Sequence, residues 1–240
     1  MNMFTDFEQR FGPKSIDDIV FANHSSRMLI NDLVTGHRPF PITEGKCGIL
    51  LYGVPGTGKS ALAKILPQAI EDARGGLDAC EEYVRILPGG NGINMISKIA
   101  RQAVLMPFGL YRYFVLDEVD CLNKDAMQML KSVMNYPKTL WVLTTNDFPS
   151  IEAGVKDRCH CIAFNAAPAP MWFPLAWRIL AHAKVTGVTD AQLLEVITPC
   201  NGSARQITDA VTDLALKVCR ANSPAQNSSA LTASVVSHDT

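Results

Sequence analysis

Between residue 47 and about residue 165, short apolar runs alternate with stretches whose apolar residues recur at helical spacing. The runs are Cys47–Tyr52, Tyr83–Leu87, Tyr113–Leu116, Leu140–Thr144 and Cys161–Phe164. Each is rich in β-branched or aromatic residues and nearly continuous in apolar character, the pattern of a strand covered on both faces. Strands separated by helices predict an α/β fold with a parallel sheet of five strands. Ahead of them, Ser15-Ile16-Asp17-Asp18 offers an N-cap and first-turn acids before an apolar helix face. Asn165–Pro174, with its Ala-Ala-Pro-Ala-Pro run, reads as a linker. Residues 175–222 read as two or three helices broken at Thr189-Asp190 and Gly202-Ser203. From about Ala221 the chain turns to Ser, Ala, Asn and Thr without periodicity, which predicts a disordered tail. The expected division is therefore an α/β domain with its lead-in over 1–165, a helical domain over 166–222, and a tail over 223–240.

Composition changes this picture little. The chain has 240 residues, 48% hydrophobic and 19% charged, enough to bury a core. A net charge of -1 gives no global reason to bind nucleic acid, so any such contact needs a local patch or several subunits together. The seven cysteines are scattered and form no CxxC pair. Cys159-His160-Cys161 is their one cluster, without a second ligand pair to complete a metal site, and reduced thiols are the plainer reading. No signal peptide is read at the N-terminus, and no run of about 18 apolar residues spans a membrane. A soluble, cytoplasmic or nucleoid-associated protein is expected.

The strongest chemical signal is Gly53-Val54-Pro55-Gly56-Thr57-Gly58-Lys59-Ser60, which fits GxxxxGK[ST]. It follows an apolar run and precedes the helical pattern from Ala61 to Leu66, the order that phosphate binding requires. Glycines at positions 53, 56 and 58 let the loop through Pro55 and Thr57 curl, so that successive N–H groups point at phosphate oxygens. Lys59 then reaches the β and γ phosphates of ATP, and the Ser60 hydroxyl ligates Mg²⁺.

Tyr113-Phe114-Val115-Leu116-Asp117-Glu118 is an apolar strand that ends in carboxylates. An acid in that position sits at the carboxyl edge of a parallel sheet, where ligands bind. Asp117 is expected to hold Mg²⁺, directly or through water, and Glu118 to polarise the water that attacks the γ-phosphate. Asp120 reads as a structural or surface acid.

In this order the pieces resemble the AAA+ clamp-loader subunits, the replication factor C small subunits and their phage and bacterial relatives. The lead-in Gln9-Arg10-Phe11-Gly12-Pro13-Lys14-Ser15-Ile16-Asp17-Asp18-Ile19-Val20 looks like the segment that lies against adenine in that family, with Phe11-Gly12 in place of the usual tyrosine-arginine. Leu122–Ala126 and Met127–Tyr136 resemble the helix after the acidic motif. Leu140–Asn146 resembles the sensor 1 strand, which implies that Asn146 contacts the γ-phosphate or the attacking water. Val155-Lys156-Asp157-Arg158-Cys159 resembles the serine-arginine-cysteine motif, whose arginine reaches a neighbouring subunit's nucleotide. Asp157 replaces the serine and is placed to pair with Arg158. Gly202-Ser203-Ala204-Arg205-Gln206 resembles the start of the lid helix, which implies that Arg205 is a sensor 2 touching its own subunit's ATP. The fold implied is a P-loop AAA+ domain followed by a small all-helical lid.

The family's subunits carry a helical collar after the lid that holds the ring together. The present chain ends soon after Arg220, so assembly by another route is expected. The segment Pro88–Asn94 with Ser97, Lys98 and Arg101 matches the family's DNA-facing region and supplies only two basic side chains. Trp172, Phe173 and Trp177 read as lid packing or a partner surface. The leading expectation is an oligomeric ATPase acting in DNA replication or repair, with DNA and a sliding clamp as partners. Its rivals are a phage or mobile-element ATPase that remodels another DNA-bound protein, and a nucleotide-gated scaffold with little turnover.

Overall fold

The computed structural model describes residues 11–221; the expected tail and the first ten residues, including Gln9 and Arg10, lie outside the described residues. Five strands form one parallel sheet: β1 Gly48–Gly53, β2 Cys80–Arg85, β3 Arg112–Asp117, β4 Thr139–Thr145 and β5 Cys159–Phe164. Their order in space is β2-β3-β4-β1-β5. Helices α1 His24–Thr35, α2 Lys59–Arg74, α3 Ile93–Ala103, α4 Lys124–Val133 and α5 Ala153–Asp157 lie between or ahead of them. Then α6 Phe173–His182, α7 Asp190–Ile197 and α8 Ala204–Ala221 follow the sheet.

The continuous apolar runs mark strands buried on both faces. Leu50, Phe114, Leu116, Trp141 and Leu143 point to one core with Ile96, Ile99 and Leu130. Their strand neighbours Ile49, Leu51, Tyr113, Val115 and Val142 point to the other, with Ile30, Leu62, Leu66 and Ile70. Alternate residues thus serve opposite layers, as the two-residue period of a strand requires.

Four expectations need correction. The second strand covers Cys80–Arg85 rather than Tyr83–Leu87, and its residues alternate between half-buried and exposed. It pairs with β3 alone at the sheet edge, so it never needed a second apolar face. The stretch read as a linker is ordered well before its end. A 3₁₀ turn spans Ala169–Trp172 and α6 begins at Phe173, because Pro170 and Pro174 sit in first-turn positions, where a missing N–H costs nothing. Ser15 caps only a 3₁₀ turn, Ile16–Asp18, with Asp18 Oδ2 accepting from the Lys14 and Ser15 N–H groups; the first α-helix starts at His24. Asp157 makes no ion pair with Arg158, whose partners are given below.

The three helices after the sheet break where Thr189 and Gly202-Ser203 stand, and they bury their own core of Ile179, Leu180, Leu193, Ile197, Ile207 and Val211. Trp172 is buried in that core and Phe173 packs against it, whereas Trp177 stays partly exposed. Phe11, from the lead-in, joins the same core and meets the His182 ring edge-on at 5.3 Å. The lead-in therefore straddles both parts of the chain. Among the described residues no helix is long and apolar enough to cross a membrane.

Candidate nucleotide-binding site

The phosphate loop leaves β1 at Gly53 and enters α2 at Lys59. Gly53, Gly56 and Gly58 all have positive φ (142°, 82° and 98°), a region that side chains rarely enter, so the curl depends on glycine. A Cβ on Gly53 would also collide with the backbone of Phe164, where the loop crosses the end of β5. Thr57 Oγ1 donates to the Val54 carbonyl at 3.0 Å and braces the curl. Pro55 is exposed at the loop's crest. Lys59 is buried, and its ammonium donates to the Gly53 and Val54 carbonyls at 2.9 and 2.7 Å. Burial lowers the Lys59 pKa, against the opposing pull of Asp117 and Asp120.

The carboxyl end of β3 delivers Asp117 beside the loop. Ser60 Oγ donates to Asp117 Oδ1 at 2.7 Å, and Thr144 Oγ1, from β4, donates to the same oxygen. Tyr83, from β2, donates to Oδ2 at 2.9 Å. Burial and then the Asp117 bond push the Tyr83 phenol up to about 12, so it remains a donor. A hydroxyl and a buried carboxylate oxygen 2.7 Å apart, at the start of a helix, are the hard oxygen donors that Mg²⁺ takes alongside phosphate oxygens. The residues fit that ion.

Glu118 occupies the left-handed region (φ 63°, ψ 50°), and its N–H donates to Thr144 Oγ1 at 3.0 Å. A non-glycine residue held there is strained, and such strain gathers at functional sites. Its carboxylate pairs with Arg85, from β2, at 2.8 Å. Asn146 follows β4 and is exposed; its N–H donates to Asp120 Oδ1 at 3.3 Å, so Asp120 braces the loop that carries Asn146.

The lid reaches the loop directly. The Ala204 N–H, at the start of α8, donates to the Gly56 carbonyl at 2.8 Å, and the Ser203 side chain packs against Gly56 Cα. Arg205 follows at once and is exposed, with no ion pair among the described residues. The lead-in's Asp17–Ala22 and the Met171–Arg178 stretch line a separate cleft of about 430 Å³, and no phosphate-loop residue reaches it.

Arg158 lies elsewhere. It precedes β5, and its carbonyl accepts from the Cys47 and Gly48 N–H groups at the start of β1. The phosphate loop is at the other end of β1, roughly 16 Å away at ~3.3 Å per residue. The Arg158 guanidinium donates to Asn135 Oδ1 and to the Gly154 carbonyl, each at 2.9 Å. Lys98 and Arg101 are exposed on α3, which Gly92 begins. No disulfide joins the described cysteines, and among the described residues no cluster of three His, Cys, Asp or Glu side chains could hold a metal by itself.

Sequence reasoning missed Tyr83, Arg85, Thr144, Asn135 and Ser203 as neighbours of these groups. Thr144 was the readable one, a hydroxyl near the end of the strand that leads to Asn146. Tyr83 and Arg85 became visible only with the β2–β3 register, which sets Arg85 opposite Asp117.

The family model for the ATPase family associated with various cellular activities (AAA) matches residues 49–165. Replication factor C small subunit 2 of Pyrobaculum aerophilum is 25% identical over 213 residues, covering 85% of this chain and 61% of the relative. DNA polymerase III subunit gamma/tau of Mycoplasma pneumoniae is 23% identical over 215 residues, covering 82% of this chain and 30% of the relative. The chain thus spans about three fifths or less of the length of these relatives. Among solved structures, the Thermotoga maritima RuvB Holliday junction branch migration motor superposes with a TM-score of 0.66 at 16% identity, over 89% of this chain and 73% of that one. That likeness concerns the fold. Residues 49–165 thus match the AAA ATPase family and, over most of its length, the chain resembles clamp-loader subunits of the replication factor C and gamma/tau kind.

Proposed function

We propose that this chain binds ATP with Mg²⁺ and hydrolyses it as a subunit of a homo- or hetero-oligomer that acts on DNA in replication or repair, in the cytoplasm or at the nucleoid. The observation that carries the reading is the meeting of Ser60, Asp117 and Glu118 beside a glycine-curled loop. Loop N–H groups and Lys59 hold the phosphates; to reach them Lys59 exchanges the Gly53 and Val54 carbonyls for phosphate oxygens. Ser60 and Asp117 hold the cation, which neutralises charge on the β and γ phosphates. Glu118 accepts a hydrogen bond from the attacking water and Asn146 helps to place it. That role requires Glu118 to leave Arg85. Arg205, one residue beyond the Ala204–Gly56 contact, reaches the phosphates of the same subunit and makes the lid's angle depend on nucleotide.

Arg158 cannot serve its own subunit from the far end of β1, and that position supports its action on a neighbour's γ-phosphate. Two surface features support partners. Lys98 and Arg101 on α3, with the Gly89–Gly92 turn, suit a phosphate backbone that several subunits share. Val104, Leu105, Met106 and Phe108 are exposed together, Phe108 at 91%, and an apolar patch of that kind marks a protein contact, here assigned to a sliding clamp.

ATPase rate measured against protein concentration, with and without primer-template DNA, tests the reading. A rate per subunit that climbs with concentration and again with DNA is expected. A flat, low rate indifferent to DNA sinks the oligomeric motor and favours the nucleotide-gated scaffold, which the Arg85–Glu118 pair would hold in its resting form.

A further inference from the structure

The edge strand β2 contributes a group that the phosphate-loop pattern does not contain. Tyr83 and Arg85 are two residues apart and so share one face of the strand. Arg85 takes Glu118, and Tyr83 takes Asp117. The two oxygens of Asp117 are thereby divided: Oδ1 accepts from Ser60 and Thr144, and Oδ2 accepts from the Tyr83 phenol. On its other side the Tyr83 ring lies beneath the Lys64 ammonium, 4.5 Å from the ring centroid, so α2 and β3 hold it from two directions.

We propose that Tyr83 is a positioning residue for the metal seat: its phenol fixes Asp117 Oδ2, so that Oδ1, the oxygen shared with Ser60, faces the cation. The role rests on the reading of Ser60 and Asp117 as that seat. A carboxylate turns easily about its Cβ–Cγ bond, because the two oxygens are equivalent and the torsion is broad. Hydrogen bonds from outside the coordination sphere remove that freedom, and such partners are commonly worth 10–100-fold in metal affinity. Packing alone would be served as well by phenylalanine, which keeps the ring under Lys64 and loses only the donor. The hydroxyl is therefore the testable atom.

The test compares binding of a fluorescent ADP derivative to the full-length protein with Mg²⁺ and with EDTA, for the wild type, Tyr83→Phe and Asp117→Asn. Tyr83→Phe is expected to leave metal-free affinity unchanged and to reduce the Mg²⁺-dependent gain by about 10-fold. Titration of Mg²⁺ at saturating nucleotide should move its midpoint upward by the same factor. An unchanged gain and midpoint in Tyr83→Phe, with the gain abolished in Asp117→Asn, would overturn the Tyr83 role and leave the metal seat standing. A wild type without any Mg²⁺ gain, or an Asp117→Asn variant that keeps it, would remove the seat itself and the Tyr83 role with it.

Discussion

Replacing Gly56 with alanine perturbs a point where lid and phosphate loop touch. Two costs can be separated. Gly56 has φ 82°, and an alanine in the left-handed region costs roughly 1 kcal/mol. The new Cβ would also overlap the Ser203 hydroxyl and stand 3.2 Å from Ser203 Cβ, which forces the start of α8 away. That movement strains the 2.8 Å bond from the Ala204 N–H to the Gly56 carbonyl, worth about 1 kcal/mol. Together these give about 2 kcal/mol, a fall in Tm of roughly 4–8 °C for a chain of this size.

The second cost alone should be relieved by Ser203→Gly, which removes the obstructing atoms and as an N-cap change costs only a few tenths of a kcal/mol. A double-mutant cycle read by thermal unfolding should therefore show the pair Gly56→Ala, Ser203→Gly recovering about half of the loss. Nucleotide affinity should recover with it. A full, additive loss in the double variant would place the strain inside the loop and refute the mechanical contact with the lid.

Three further outcomes are expected. Glu118→Gln should retain nucleotide binding and lose turnover, while Arg85→Ala should raise basal turnover by freeing Glu118; an ATPase rate unchanged by Arg85→Ala would mean the pair does not restrain Glu118. Arg158→Ala and Glu118→Gln, each inactive alone, should regain ATPase activity when mixed, since some interfaces then join an intact Glu118 to an intact arginine; size-exclusion chromatography must show that the mixture assembles, and no regain in an assembled mixture counts against action between subunits. Burial, and then Lys46 and Arg38, bring the His160 pKa down to about 4, so the neutral ring is favoured in the folded chain. An unfolded histidine takes its proton near 6.5, and stability should therefore decline as pH falls from about 6.5 towards 4. Thermal melts of His160→Gln should show a flatter decline over that window.

What could be read from the sequence was whatever depended on neighbours along the chain. Gly53–Ser60 states its own curl, because its three glycines and the helix start all fall within one short stretch of chain. Asp117 and Glu118 could be placed because four apolar residues lead directly into them. The β2 boundary could not, because β2 alternates half-buried and exposed residues where β1, β3 and β4 are mostly buried, and Leu87 drew the reading past its end. Pro170 and Pro174 suggested a linker, yet proline at a helix start is as compatible with order as with a break. The neighbours of the acids depended on register, which one sequence does not display: Tyr83 and Arg85 reach Asp117 and Glu118 only because β2 pairs with β3 in one alignment. Asn135, not Asp157, partners Arg158, because the fold brings the turn after α4 against it, a contact that no local pattern displays.

Topology gives these separate pairings a common sense. The strands are parallel, so everything that follows a strand gathers at one edge of the sheet and everything that precedes one gathers at the other. Asp117 ends a strand, and the phosphate loop, Glu118 and Asn146 follow strands; Arg158 precedes one. On the proposed reading a second subunit would bring the two edges together, each offering a site on one side and an arginine on the other, a head-to-tail contact that forms rings or filaments rather than closed pairs. β2 adds a route from outside to that site. It touches both acids through Tyr83 and Arg85, it has a free edge, and it runs directly into the Gly89–Gly92 turn and α3. A ligand that shifts this turn would shift β2 before any other strand, since β2 leads into the turn and is held by β3 alone. The strand least legible in the sequence is thus the one through which a partner on α3 would reach the chemistry.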